Sequence, residues 1–378
     1  MRRVQIPLLV VAAAALGLLP FLRHARNRLL SGQPIDSYVS FGLASPLWTV
    51  GFALGLGLLV LPLFRPGALT QWTSLLGAGI TLAAAAAIGA DAAAHLAATG
   101  SPAARTSLGS GAWLFAAALL LLASDTARRL RFGLAGLVPV FAPLVLLVAL
   151  GMLAPLSLLL EYAVQHDAFR TALVQHVGLV LGALGPALLI GVPLGVAAQR
   201  WAALRRVAFP VLNLIQTIPS IALFGLLIGP LAWLGTMVPG VSGIGAVPAI
   251  LALVLYSLLP IVRNTVEGLD GVPRGVRIAA RAMGMSPAQT FLQVDTMLAL
   301  PVLLSGLRVT AVQAVGLAAV SALIGAGGLG AIIFQGLFAN ALDLVILGAL
   351  PVIALAVAAD LVFRLLTAWS RTALGGAA

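Results

Sequence analysis

Cysteine and lysine are both absent from the chain. Without thiols there is no disulfide, no cysteine nucleophile and no thiolate metal site. Without lysine there is no Walker A sequence, which needs one to reach the nucleotide phosphates. Any ATP chemistry tied to this protein must therefore come from a partner. Charge of either sign is scarce, at 8% of 378 residues, where soluble domains carry about a quarter. Acidic residues number ten, tyrosines three and tryptophans six. The four histidines (His24, His95, His166, His176) form no HExxH or other ligand-spaced pattern. No nucleophile–base or metal constellation points to an enzyme, and no cofactor or metal is expected on this chain.

What fills the sequence instead is apolar: 61% of residues are hydrophobic. A water-soluble fold cannot hide that much apolar surface, whereas a bilayer is itself the solvent for it. A spanning helix needs roughly 20 apolar residues. Ten such runs are legible, at about 4–22, 46–64, 71–97, 108–124, 135–160, 176–198, 208–229, 246–262, 302–324 and 344–367. The expected fold class is an all-α polytopic membrane protein. Between the last two runs lies an apolar, glycine-rich stretch at 325–337.

The net charge of +11 is carried entirely by arginine. Because the arginines sit between the apolar runs, they orient helices rather than bind nucleic acid. With the N-terminus placed in the cytoplasm, fifteen arginines fall inside and five outside, with Arg308 within a run near its cytoplasmic end. Both termini then face the cytoplasm, and the cluster Arg23, Arg26 and Arg28 is the one violation of the positive-inside rule. It leaves open that the first span is misplaced. Arg2 and Arg3 before an apolar core also resemble a signal peptide. Pro20, Phe21, Leu22 and Arg23 make a poor small-residue cleavage site, however, which favours an uncleaved helix.

The chain divides in two. Residues 1–160 form an N-terminal transmembrane extension of about five helices with no motif that carries chemistry. Residues 161–378 hold a polar outside segment at 161–175, five further spans and one long cytoplasmic loop at 264–301. In that loop Pro273 suits a first helical turn, Ala279 and Ala280 favour helix, and Gly284 suits a C-terminus or tight turn. Ser286 and Pro287 then read as an N-cap and N1 pair opening a second helix to Thr296, before Pro301. The adjacent alanines present a smooth patch. A docking element and an ordinary amphipathic connector on the membrane surface both fit this pattern.

Residues 279–301 (AARAMGMSPAQTFLQVDTMLALP) resemble the EAA loop of ABC importer permeases, with Ala279, Ala280, Gly284 and Pro301 in register. The resemblance implies a type I importer core in which Ala279, Ala280, Met283, Gly284 and Ser286 form the coupling loop that docks on a cytoplasmic ATPase. Ile278 departs from the usual Glu, and Thr296 and Met297 from a common Leu-Pro pair. The stretches 190–195 (IGVPLG), 215–220 (IQTIPS), 255–264 (LYSLLPIVRN) and 324–330 (IGAGGLG) are similar to the osmoprotectant branch, which carries glycine betaine, choline or carnitine. The extension resembles the longer Yeh-type permeases through 28–32 (RLLSG) and 104–111 (ARTSLGSG). The partners implied are an ATPase dimer binding ATP and Mg, a periplasmic or lipid-anchored binding protein, a second permease subunit and the lipid bilayer. The implied location is the bacterial inner membrane. An ion-coupled secondary transporter of small zwitterionic solutes is the alternative; it would usually carry ionisable groups at mid-membrane.

Within the apolar runs, Pro219 must disturb its helix and free a carbonyl near Gln216 and Thr217, as transport paths often do. Gly325, Gly327, Gly328 and Gly330 formally match GxGxxG but lack a βαβ context. Tight packing and a re-entrant turn suit them better, and the resemblance implies an outer gate. Asp91 and His95 share a helix face but are too few for a metal site. Arg308 is expected either to snorkel or to pair with Asp360. Trp48, Trp72, Trp201, Trp233, Trp369 and Tyr162 fall near interfaces. Only Trp113 and Tyr256 lie deeper, too few for the aromatic cage a quaternary ammonium prefers.

Overall fold

The computed structural model describes residues 2–27, 32–65, 67–99, 104–130 and 133–373. The chain forms two compact units. The first comprises residues 2–164 with Ala339–Asp343, the second 165–338 with 344–373. Residues 28–31 of the Yeh-like RLLSG stretch lie outside the described residues.

The first unit holds α1 (Arg2–Leu18), α2 (Ser37–Leu43), α3 (Pro46–Phe64), α4 (Ala68–Thr99), α5 (Ser110–Arg129), α6 (Val138–Ala149) and α7 (Ser157–Val164). The strands β1 (Leu22–Ala25), β2 (Gln33–Ile35) and β3 (Arg105–Leu108) form a small antiparallel sheet ordered β2-β1-β3. This sheet corrects the all-α expectation. Its strands are three or four residues long and rich in arginine, so no period-2 apolar pattern announces them. Arg23, part of the cluster that breaks the positive-inside rule, lies on β1.

Alanine and glycine set the packing here. The α4 helix buries Ala78, Ala84, Ile88 and Ala92 in the core of the unit. A Cβ at Gly77 would stand 2.6 Å from the Leu59 amide nitrogen, so α3 and α4 approach almost backbone to backbone. Phe21, Phe41, Phe52 and Phe115 run through the core as a row, with ring centroids 5.9, 5.0 and 5.7 Å apart. The Asp91 carboxylate accepts the Ser45 amide at 3.0 Å just before α3. It serves as a helix-terminus acceptor there, and no metal-competent cluster exists among the described residues.

The second unit holds α8 (His166–Arg200), α9 (Ala202–Thr217), α10 (Ser220–Gly235), α11 (Ala246–Asp270), α12 (Arg274–Ala282), the single turn α13 (Pro287–Gln289), α14 (Thr296–Val320), α15 (Leu329–Phe338) and α16 (Leu342–Ala373). Its core lies between α8, α11 and α14, around Ala183, Ala187, Leu253, Ile261 and Ala314. Gly195 lets α8 pass α11 closely, since a Cβ there would sit 2.6 Å from that of Thr265.

Among the described residues seven helices are long and apolar enough to cross a membrane, or eight counting the bent pair α9–α10. The apolar stretches Val4–Leu18, Ala135–Ala149 and Leu329–Phe338 are shorter. Three expectations change in detail. The helix expected from residue 176 starts at His166, so most of the polar segment at 161–175 is helical. The expected second loop helix is continuous with α14 through a π-helical stretch, Thr290–Asp295, which places Pro301 inside α14. The run at 208–229 is two helices meeting at 105° rather than one kinked span.

Candidate functional site

The coupling loop is a rigid object. After α12, Met285 N–H donates to Ala280 O at 3.2 Å and Gly284 N–H to Arg281 O at 2.9 Å. Together these form a Schellman closure. It requires a left-handed residue, and Gly284 has φ +86°. Ser286 then opens the next turn with a capping box: its amide donates to Gln289 Oε1 at 2.8 Å and its Oγ accepts the Gln289 amide at 3.3 Å. Pro287 occupies N1. The sequence signals at Gly284, Ser286 and Pro287 thus each have a local hydrogen-bonding reason.

The two alanines divide. Ala280 is 2% exposed and faces inward, whereas Ala279 is exposed. The outward ridge is apolar: Ile278 is 68% and Met283 76% exposed, next to Ala279, Ala282 and Gly284. On a helix the residues 278, 279, 282 and 283 share one face.

The brace behind this ridge was not legible in the sequence. Arg277 Nε donates to Asp295 Oδ1 at 2.7 Å, and its Nη2 donates to Leu269 O at 2.7 Å. One side chain therefore ties α12 both to the end of α11 and to the π-helical stretch before α14. The Arg200 guanidinium lies 4.6 Å over the Phe291 ring, and Arg205 and Gln199 both donate to Asp270 at 3.1 Å. These partners are 18 to 91 residues apart, so only folding pairs them.

The second feature is the break at Pro219. The α9 helix ends at Thr217, and Ile218 and Pro219 are extended before α10. Proline has no N–H to carry the ladder onward, and the freed carbonyl is that of Ile218. Tyr256 on α11 donates its hydroxyl to it. In return Gln216 Nε2 donates to the Tyr256 carbonyl at 2.5 Å. Thr217 turns back to Leu214 O at 2.7 Å. Gln216, Ile218 and Tyr256 therefore form a clasp that holds the break open, and Tyr256 is a clamp rather than part of an aromatic cage.

The third feature is the glycine-rich turn before α15. Gly325, Gly327 and Gly328 have φ of +79°, +76° and +73°, a region costly for other L-residues. The Gly328 amide donates to Gln175 Oε1 at 3.1 Å. The ring of His176, fully buried, donates from Nε2 to Val315 O at 3.1 Å. Both residues sit on α8, so this helix latches the turn and α14 at once. Sequence reasoning missed Gln175 and His176; a polar pair opening a long apolar run was the available signal. Gly330 packs directly against the Ala319 carbonyl. An open cleft of about 390 Å³ adjoins the turn, lined by Thr171, Gln175, Gly328 and Gln335. Among the described residues this unit contains no strand, so the GxGxxG match has no nucleotide-binding context.

Arg308 on α14 pairs with Asp360 on α16, the partner expected for it, and Asp360 also receives Arg364 at 2.7 Å. Reversing either Arg308 or Asp360 is expected to lower the folded yield, a destabilisation of about 1–3 kcal/mol for a charged hydrogen bond. The double swap Arg308→Asp with Asp360→Arg should recover most of it. Monodisperse yield on size exclusion measures this, and a swap no better than the singles would show that the pair is incidental.

Comparison with known proteins places these features in a family. Residues 2–159 match the family described as the ABC transporter permease YehY N-terminal domain. Residues 187–372 match the binding-protein-dependent transport system inner membrane component. The chain is similar to the osmoprotectant import permease protein OsmW of Salmonella typhimurium, with 42% identity over 202 residues covering 53% of this chain and 91% of that one. It is also similar to the glycine betaine/carnitine/choline transport system permease protein OpuCD of Bacillus subtilis, with 38% identity over 200 residues covering 53% and 80%. Among solved structures, inward-facing conformations of the MetNI methionine ABC transporter align with a TM-score of 0.46 and 25% identity over 53% of this chain and 96% of that one. The helices and these matches define a multi-pass inner-membrane permease of the type I importer fold. More particularly, the chain belongs to the osmoprotectant family of ABC importer permeases.

Proposed function

We propose that this protein is the membrane-spanning subunit of an importer for osmoprotectants such as glycine betaine or choline, driven by a cytoplasmic ATPase pair that docks on α12. The observation that carries this reading is the exposed apolar ridge of Ile278, Ala279, Met283 and Gly284, braced by Arg277. It lies where the family resemblance places the coupling loop, between two helices of the core. The chain lacks a Walker A sequence, so the partner ATPase binds ATP and Mg and supplies hydrolysis. ATP-driven closure of that pair displaces the ridge, and the Arg277–Asp295 brace passes the movement to α11 and α14. The break at Gln216, Thr217 and Pro219 contributes backbone to the path, and the turn at Gly325, Gly327, Gly328 and Gly330 forms the outer gate. Substrate arrives from a separate binding protein, which supplies most of the selectivity. A second permease subunit completes the pathway. Both termini face the cytoplasm, as the arginine distribution favours. Residues 1–160 are an extension to the core at 161–378.

The test is uptake of radiolabelled glycine betaine or choline into proteoliposomes holding the permease, its ATPase and its binding protein. Uptake is expected to require ATP and the binding protein. Uptake driven by a proton or sodium gradient without nucleotide would instead make the chain a secondary transporter. ATP-driven uptake of neither compound would leave the importer standing with another substrate.

A further inference from the structure

The first unit contains a polar cavity of about 250 Å³ that the transport reading does not use. Strand alternation builds one wall of it. The register pairs Arg23 with Ser107 and Ala25 with Arg105, so these four residues share one face of the sheet. All four line the cavity, while Leu22 and Thr106 on the opposite face are buried. The other wall is acidic. Glu161 on α7, 4% exposed, lines the cavity. So does Asp343, which accepts the Ser157 hydroxyl.

The charges are separated rather than matched. Among the described residues neither Arg23 nor Arg105 forms an ion pair. Arg105 sends Nη1 to the neighbouring Ala104 carbonyl at 3.1 Å, and its Nε is buried without an acceptor. A buried donor left unpaired is costly and is met by an acceptor from a ligand. Two arginines on one wall suit a carboxylate. The two carboxylates on the other suit a cation, and Ser157 and Asn340 beside them add further polar groups. None of the lining residues is aromatic, so the cavity suits an ammonium that donates hydrogen bonds better than a quaternary one, which favours ring faces. The volume lies just below the roughly 300–1,000 Å³ of drug-sized sites.

We propose that this cavity binds a small amino-acid-like zwitterion, its carboxylate on Arg23 and Arg105 and its ammonium toward Glu161 and Asp343, at a site separate from the transport path. The site goes beyond the importer reading and stands whether or not the chain carries osmoprotectants.

The test is equilibrium binding of tritiated glycine to the full-length permease in nanodiscs, without ATPase or binding protein. Saturable binding is expected, weakened about tenfold or more by Arg105→Gln and by Asp343→Asn, since each removes a charged hydrogen bond. Arg23→Gln, at an exposed position, should weaken it in the same direction even if the Arg105 variant folds poorly. Glycine betaine, acetate and methylammonium should each compete at least tenfold less well than unlabelled glycine. Absence of glycine binding, or binding indifferent to Arg23, overturns the proposal. Acetate competing equally would make the cavity a simple anion site and overturn the zwitterion. Loss of binding in Gln216→Ala with retention in Arg105→Gln would place the ligand in the path and overturn the separate site.

Discussion

Gly284→Asp is expected to release the ATPase from the permease while leaving folded, membrane-inserted protein. The substitution is sterically possible, because a Cβ at Gly284 would meet nothing within 4 Å. Its φ of +86° penalises an L-residue by about 1–2 kcal/mol, and aspartate and asparagine tolerate that region better than most residues. The internal cost is thus modest. The external one is not: a carboxylate would stand on the exposed ridge beside Met283 and Ile278, and docking would strip its water. Gly284→Asn separates the two effects, since it pays the same conformational cost without charge. Co-purification with the ATPase should fall to background for the aspartate variant and persist in large part for the asparagine one. Equal losses in both would assign the role of Gly284 to conformation alone. ATPase binding by both at wild-type level would remove α12 from the docking surface and reopen secondary transport.

Gly330→Ala is expected to be the most damaging single-methyl change in the second unit. The new Cβ would overlap the Ala319 carbonyl, which is helix backbone of α14 and cannot swing aside as a side chain would. Separating α15 from α14 would pull on the turn that Gln175 holds through Gly328. Overpacking of this kind costs about 1–3 kcal/mol and occasionally more, and here it falls on the proposed outer gate. Gly316→Ala is the matched control. It adds the same methyl to α14 where nothing lies within 4 Å, and should be neutral or stabilising by up to about 1 kcal/mol through helix propensity. Thermal unfolding in detergent and ATP-dependent uptake would be measured for both. If Gly330→Ala retains both, the close approach of α15 to α14 has no role in gating.

The apolar runs, the arginine bias and the missing thiols and lysine determined the protein's class without any coordinates. Composition decides which solvent a chain can fold in, and that decision needs no knowledge of packing. Short-range signals were equally legible. Gly284, Ser286, Pro287 and Pro219 act on their own backbone within a turn or so, and each marks a real closure, cap or break. The sheet was not legible, because strands of three or four residues gain their stability from partners about 10 and 80 residues away. Nor was the division between Ala279 and Ala280, since which of two adjacent alanines faces inward depends on what packs behind the helix. The Arg277–Asp295 brace, the Tyr256 clasp on Ile218 and the Gln175 latch on Gly328 belong to the tertiary structure alone. Each joins a polar side chain to a group many residues distant, and in an apolar chain such pairings follow from which helices lie together rather than from any periodicity along the sequence.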